Sequence, residues 1–186
     1  MKLLEIIDNQ SNLRNLAVMI VSSFVVVMVM ATLTQTWVYD VYGDVTMPDT
    51  RLTYTFTEIT DVFNTLGQEG LNVWVYAHML DFLFPLTYMF ALAFGLNMEL
   101  RRVVPANSTT NLLVLIPLVA GIADYVENIM VLSQIAAYPQ LSESVILIAS
   151  AVTSFKWILL YAGFAIIFLL LPLVIYRQLS SSKAED

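Results

Sequence analysis

The chain has 186 residues, 59% of them hydrophobic and only 12% charged, with a formal net charge of -7 and no cysteine. It is too apolar for an ordinary soluble domain. The missing cysteines exclude a disulfide framework, a thiolate metal site and a cysteine nucleophile, and the acidic balance argues against a nucleic-acid partner.

Residues 2–13 set Leu3, Leu4, Ile6 and Ile7 beside Glu5 and Asp8, which suits a short interfacial helix. Apolar runs follow at Leu16–Thr34, Val73–Leu96, Asn111–Ala136 and Val145–Tyr176. Each can cross a hydrocarbon core of ~30 Å at about 1.5 Å per residue. They predict four spans in one domain, 1–186, over about 14–36, 73–97, 111–136 and 145–176. The first run is too long for a signal-peptide core and reads as retained. It is a featureless scaffold or lipid-facing helix.

The loop 37–72 is too long for a simple connector. Trp37, Tyr39 and Tyr42 mark the interface where span 1 emerges. Leu52, Tyr54 and Phe56 alternate with polar residues, as in a short extended piece. Thr57 can then cap a helix with Glu58 in its first turn. Ile59, Val62, Phe63 and Leu66 follow at helical spacing and Gly67 can end it. The expectation is an amphipathic cap helix over about 58–66. Beyond the spans, Tyr138-Pro139 makes a turn and Ser180–Asp186 reads as a solvated tail.

The basic residues set the orientation. Lys2, Arg14, Arg101, Arg102, Arg177 and Lys183 fall on one side and only Arg51 on the other, with Lys156 inside a span. The positive-inside rule then makes both termini cytoplasmic, in a bacterial inner membrane or its equivalent. The 35–72 loop faces outward. It holds Asp40, Asp44, Asp49, Glu58, Asp61 and Glu69 against Arg51, which argues against rest on anionic lipid. The sequons at Asn9 and Asn107 fall on the cytoplasmic side and read as chance matches.

Four charges interrupt the spans: Asp81, Asp124, Glu127 and Lys156. A charge inside a bilayer is costly and is a functional-site hypothesis by default. On span 2, His78, Asp81, Pro85, Tyr88 and Gly95 share a helical stripe. On span 3, Pro117, Gly121, Asp124, Glu127 and Asn128 do the same, and on span 4 Thr153, Lys156 and Gly163 align. The glycines would permit close helix approach, and the prolines would kink their helices and free carbonyls. By helix rise, Asp81 lies roughly 12 Å from the outer end, Glu127 and Asp124 roughly 14 and 18 Å, and Lys156 roughly 16 Å. One polar cluster of spans 2, 3 and 4 is therefore expected, with His78 nearer its mouth.

Three carboxylates against one ammonium leave a surplus of negative charge. It must be met by a proton, a cation or water. A structural network that fixes helix register is one reading. A ligand site is another, and a proton or ion pathway a third. In the ligand reading Asp81, Asp124 and Glu127 accept, Lys156 pairs or meets an anionic part, and Asn128 and Tyr88 orient. The ligand would be a lipid headgroup or a small cationic or polar molecule taken from the outward side. Rivals are an accessory subunit of a larger membrane complex and an intramembrane enzyme with a carboxyl as acid or base. The single histidine, His78, argues against di-metal carboxylate and zinc-hydrolase chemistry. No serine-nucleophile elbow or phosphate loop is present, so no metal is expected and no cofactor is specified.

Asp81-Phe-Leu-Phe-Pro85-Leu-Thr-Tyr88 followed by Ala123-Asp124-Tyr-Val-Glu127-Asn128 resembles a pattern in small four-span membrane proteins of uncharacterised function. The resemblance covers roughly residues 78–160 and implies a four-helix membrane fold. It carries no activity or cofactor.

Overall fold

The computed structural model describes residues 2–43, 45, 47–105 and 109–185, without the side chains of Asp49 and 181–185. Asp44, Asp186 and the Asn107-Ser108 pair of the second sequon lie outside the described residues. The described residues are helical, with no strand among them. Four helical stretches are long and apolar enough to cross a membrane: Leu13–Tyr42, Phe56–Val103, Thr109–Ala137 and Glu143–Ser180.

Helix α1 (Lys2–Gln10) is amphipathic and buries Ile7. Asn12 starts α2 (Leu13–Thr34) by accepting the Asn15 N–H at 3.0 Å. No residue of α2 is buried within the protein. A uniformly apolar helix with no enclosed face suits a lipid-facing scaffold. It runs on through a π-helical turn, Gln35–Tyr39, and one α-turn, Asp40–Tyr42, until Gly43 at φ +86° stops it.

Next, α3 (Phe56–Leu80) bends at Gly67 into arms over 56–66 and 68–80. The first arm is the cap helix, but Thr55 starts it rather than Thr57. A capping box needs its hydroxyl three residues before the acid. Thr55 Oγ1 accepts the Glu58 N–H at 3.3 Å, and Glu58 Oε2 accepts the Thr55 N–H at 2.7 Å. The arm buries Ile59, Phe63 and Leu66 in a core shared with Trp74, Val131, Ile135 and Ile146. Phe56 opens this helix, so the extended piece is shorter than its alternation suggests. It is strapped along the last helix: Ser150 Oγ accepts the Tyr54 N–H at 2.9 Å, and Ser154 Oγ donates to Leu52 O at 2.8 Å.

Span 2 is not one helix. It breaks at Asp81-Phe82 between α3 and α4 (Leu83–Val103). Pro85 is the cause: it has no N–H for the Asp81 carbonyl and its ring crowds that carbonyl. Helix α5 (Leu115–Ala137) follows a 3-10 lead-in, Thr109–Val114. Pro117 therefore sits in a first turn, where it costs little, and does not kink the helix. A turn with cis Tyr138–Pro139 leads to α6 (Glu143–Glu185). This helix continues through most of the expected tail.

Helices α4, α5 and α6 pack against one another, and α2 lies along α4. Both termini are at one end of the bundle. There Arg101 Nε meets Asp8 Oδ1 at 2.5 Å, and Arg177 donates to Arg102 O at 2.8 Å. The cap is at the opposite, loop end.

Gly67 holds φ +57°, ψ -174°, a region open essentially only to glycine. Gly67→Ala should lower stability by about 1–3 kcal/mol, measured by thermal unfolding in detergent, although no atom would clash with the new Cβ. A second outcome concerns α1. The Arg101 hydrogen bond holds the Asp8 carboxyl below its ordinary value of 3.8. The docking it supports is complete above that value and is lost as pH falls through the lowered one. Hydrogen exchange of the α1 amides should quicken over that acid range, and Asp8→Asn should remove the pH dependence.

Candidate functional site

Between the loop-end core and a second apolar cluster of Tyr88, Ala120 and Leu160 lies a polar layer. The buried acidic and basic side chains among the described residues are His78, Asp81, Asp124, Glu127 and Lys156, each at most 4% exposed. Helix α6 contributes Lys156. Its Nζ meets two acids of α5, Asp124 Oδ1 at 3.0 Å and Glu127 Oε2 at 2.6 Å. One ammonium thus ties two carboxylates a single helical turn apart.

Tyr88 of α4 donates its hydroxyl to the other Asp124 oxygen at 2.9 Å. Lys156, Asp124, Glu127 and Tyr88 thus link α4, α5 and α6 by direct contacts. His78 is on α3, one turn before the helix break, with its ring edge-on to Trp74 at 6.0 Å. The stripe read along span 2 is thus divided between two helices, His78 before the break and Tyr88 after it.

The break is satisfied from α5. Asn128 Nδ2 donates to Asp81 O at 3.4 Å, and Tyr125 Oη donates to Phe82 O at 2.8 Å. The backbone carbonyls at the break thus meet side-chain donors, as burial away from water demands. The amide orientation of Asn128 follows from that bond. It leaves Asn128 Oδ1 fully buried with no hydrogen-bond partner among the described residues. A buried acceptor without a donor is uncommon and calls for an explanation.

The glycines divide. A Cβ on Gly121 would come within 2.6 Å of Met89 Sδ and 2.9 Å of Met89 Cβ, so α4 and α5 approach closely there. Gly95 and Gly163 have no such neighbour. Thr153 is fully buried and meets Tyr54 Oη at 3.3 Å. Tyr54, Tyr125 and Ser150 were missed as polar partners. Tyr125 lies between Gly121 and Asn128 at spacings of four and three, which would have placed it on their stripe. The other two carry no local signal, because they meet through a contact 96 residues apart.

No three His, Asp or Glu among the described residues are arranged to hold a metal ion. A slot of about 330 Å³ opens between α2 and the second arm of α3, with Trp74 and His78 in its wall. No family model, curated protein or solved structure matches the chain.

The buried ammonium makes the layer sensitive to single changes. Lys156→Ala should destabilise the protein by about 3–5 kcal/mol, because both acids are left in a dry interior. Combining Lys156→Met with Asp124→Asn and Glu127→Gln should recover most of that loss. Unfolding titrations in mixed detergent would measure both, and equal stability of the two variants would refute the triad as the source.

Proposed function

We propose that this is an integral membrane binding protein whose site is the polar layer of Asp81, Asp124, Glu127, Asn128, Lys156, His78 and Tyr88. It would hold a cationic or hydrogen-bond-donating group, such as a lipid headgroup amine or a small polar ligand. One observation carries the reading. Three acids share the layer with one lysine, and Asn128 Oδ1 is an enclosed acceptor without a donor. An excess of acceptors and negative charge is completed by a group that brings donors and positive charge.

Lys156 engages Asp124 and Glu127 directly, so it serves as their internal counterion. Asp81 stands at the helix break, one turn from His78, which lines the slot. Asn128 lies beside Asp81 and would fix the orientation of a bound donor. Tyr88 holds the far oxygen of Asp124 and would keep that carboxylate turned toward Lys156. Recognition in this scheme needs no bond making. The site is a preformed, low-dielectric acceptor set, in which a hydrogen-bonded charge is held more firmly than in water.

Native mass spectrometry of the protein released from its own membrane tests the proposal. The wild type should carry one adduct of defined mass. Asp81→Asn removes the charge with little change of shape and should lose the adduct, as should Glu127→Gln. A folded wild type without an adduct, or two folded variants that both retain it, would overturn the reading.

A further inference from the structure

The slot between α2 and α3 has a graded wall. Toward the terminal end, α2 supplies Val27, Met30 and Ala31, all apolar. Toward the loop end the same helix supplies Thr34 and Gln35. Tyr39, Met47 and Thr50 complete that end, and on the opposite wall α3 runs inward from Gly67, so Trp74 lies loop-ward of Ala77 and of His78, which is 3% exposed. A volume of about 330 Å³ falls in the range of ligand pockets, ~300–1,000 Å³. From Val27 to Gln35 the wall runs eight residues, or ~12 Å by helix rise.

Such a gradient, apolar toward the middle of the span and polar toward its end, matches a lipid standing in the leaflet on the loop side. Charge selects among lipids. The sequence between the first two candidate spans carries Asp40, Asp44, Asp49, Glu58, Asp61 and Glu69 against Arg51, and the polar layer that includes His78 carries three acids and one lysine. Both fields repel an anionic headgroup and attract an amine. Access from water is poor, because the cap arm and the strapped segment cover the loop end. Access from lipid is direct, because α2 has no buried face and the slot lies at its edge.

We propose that this slot holds one chain of an amine-headed phospholipid. The apolar part would lie against Val27, Met30 and Ala31, with the headgroup turned toward Thr34, Gln35 and Thr50. The inference deepens the reading of the polar layer as an acceptor site and rests on it, since it names the ligand as a membrane lipid that arrives sideways.

The chain has three tryptophans, so a Trp37→Phe, Trp157→Phe background leaves Trp74 as the reporter. That protein is reconstituted in phosphatidylcholine vesicles containing increasing amounts of brominated phosphatidylethanolamine or brominated phosphatidylglycerol. Trp74 is 3% exposed, and a brominated chain in the slot would lie against it. Half-maximal quenching is expected at a roughly tenfold lower fraction of the ethanolamine lipid than of the glycerol lipid. Ala31→Phe narrows the slot from the α2 side and should abolish the difference. Equal quenching by the two lipids, or a preference that survives a folded Ala31→Phe, would overturn the slot and leave annular lipid only. The two readings fail separately. A preference that persists in folded Asp81→Asn and Glu127→Gln, neither carrying an adduct change, keeps the slot and defeats the acceptor layer. Adduct loss in those variants without any headgroup preference keeps the layer and defeats the slot.

Discussion

An ammonium buried in an apolar protein interior must carry its counterions with it, and Lys156, 4% exposed, does so. Lys156 lies on α6 and both of its acids lie on α5, so these two helices cannot slide by a turn without separating the charges. Tyr88 extends the constraint to α4 through the second oxygen of Asp124. Three helices are thus fixed in register by one cation. In water such contacts would be worth little. Here the alternative is a naked charge in a medium that cannot solvate it, and the geometry is correspondingly close.

The second constraint is the backbone. A proline within a span removes one N–H and leaves a carbonyl that lipid cannot satisfy. Pro85 does this just after the most loop-ward of the acids. Asn128 and Tyr125 supply the missing donors from α5. The break and the polar layer are therefore one structure. The Asn128 amide is spent on the Asp81 carbonyl, which is why its oxygen is turned toward a place with no donor of its own. The open Asn128 acceptor thus has its origin in this junction.

Much of this was legible in the sequence because hydrophobic solvation leaves strong marks. Four helices long and apolar enough to cross a membrane follow from apolar run lengths, the bend at Gly67 from its glycine, and the meeting of Lys156 with Asp124 and Glu127 from helical spacing. What spacing could not show was where a helix stops being one helix. Pro85 was visible, but whether it kinks or breaks depends on donors from another helix. The cap boundary slipped by two residues because Thr57 stands next to Glu58, whereas a capping box joins residues three apart. Ser150, Ser154 and Tyr54 were invisible as partners because a strap is a long-range contact between unremarkable residues. The stripe glycines were over-read: only Gly121 meets a neighbouring helix closely, through Met89.

The polar layer also has a direction. Toward the loop end it is sealed by Ile59, Phe63 and Leu66 of the cap and by the segment pinned to Ser150 and Ser154. Toward the terminal end it is sealed by the apolar cluster around Leu96, Leu100 and Leu118. A channel would need an opening at both ends, and a water-fed pocket would need one at the loop end. The remaining approach is sideways, where α2 covers α3 without burying any residue of its own. A helix held this lightly can yield laterally at small cost, because each contact it loses to protein is replaced by a contact with lipid tails of the same polarity.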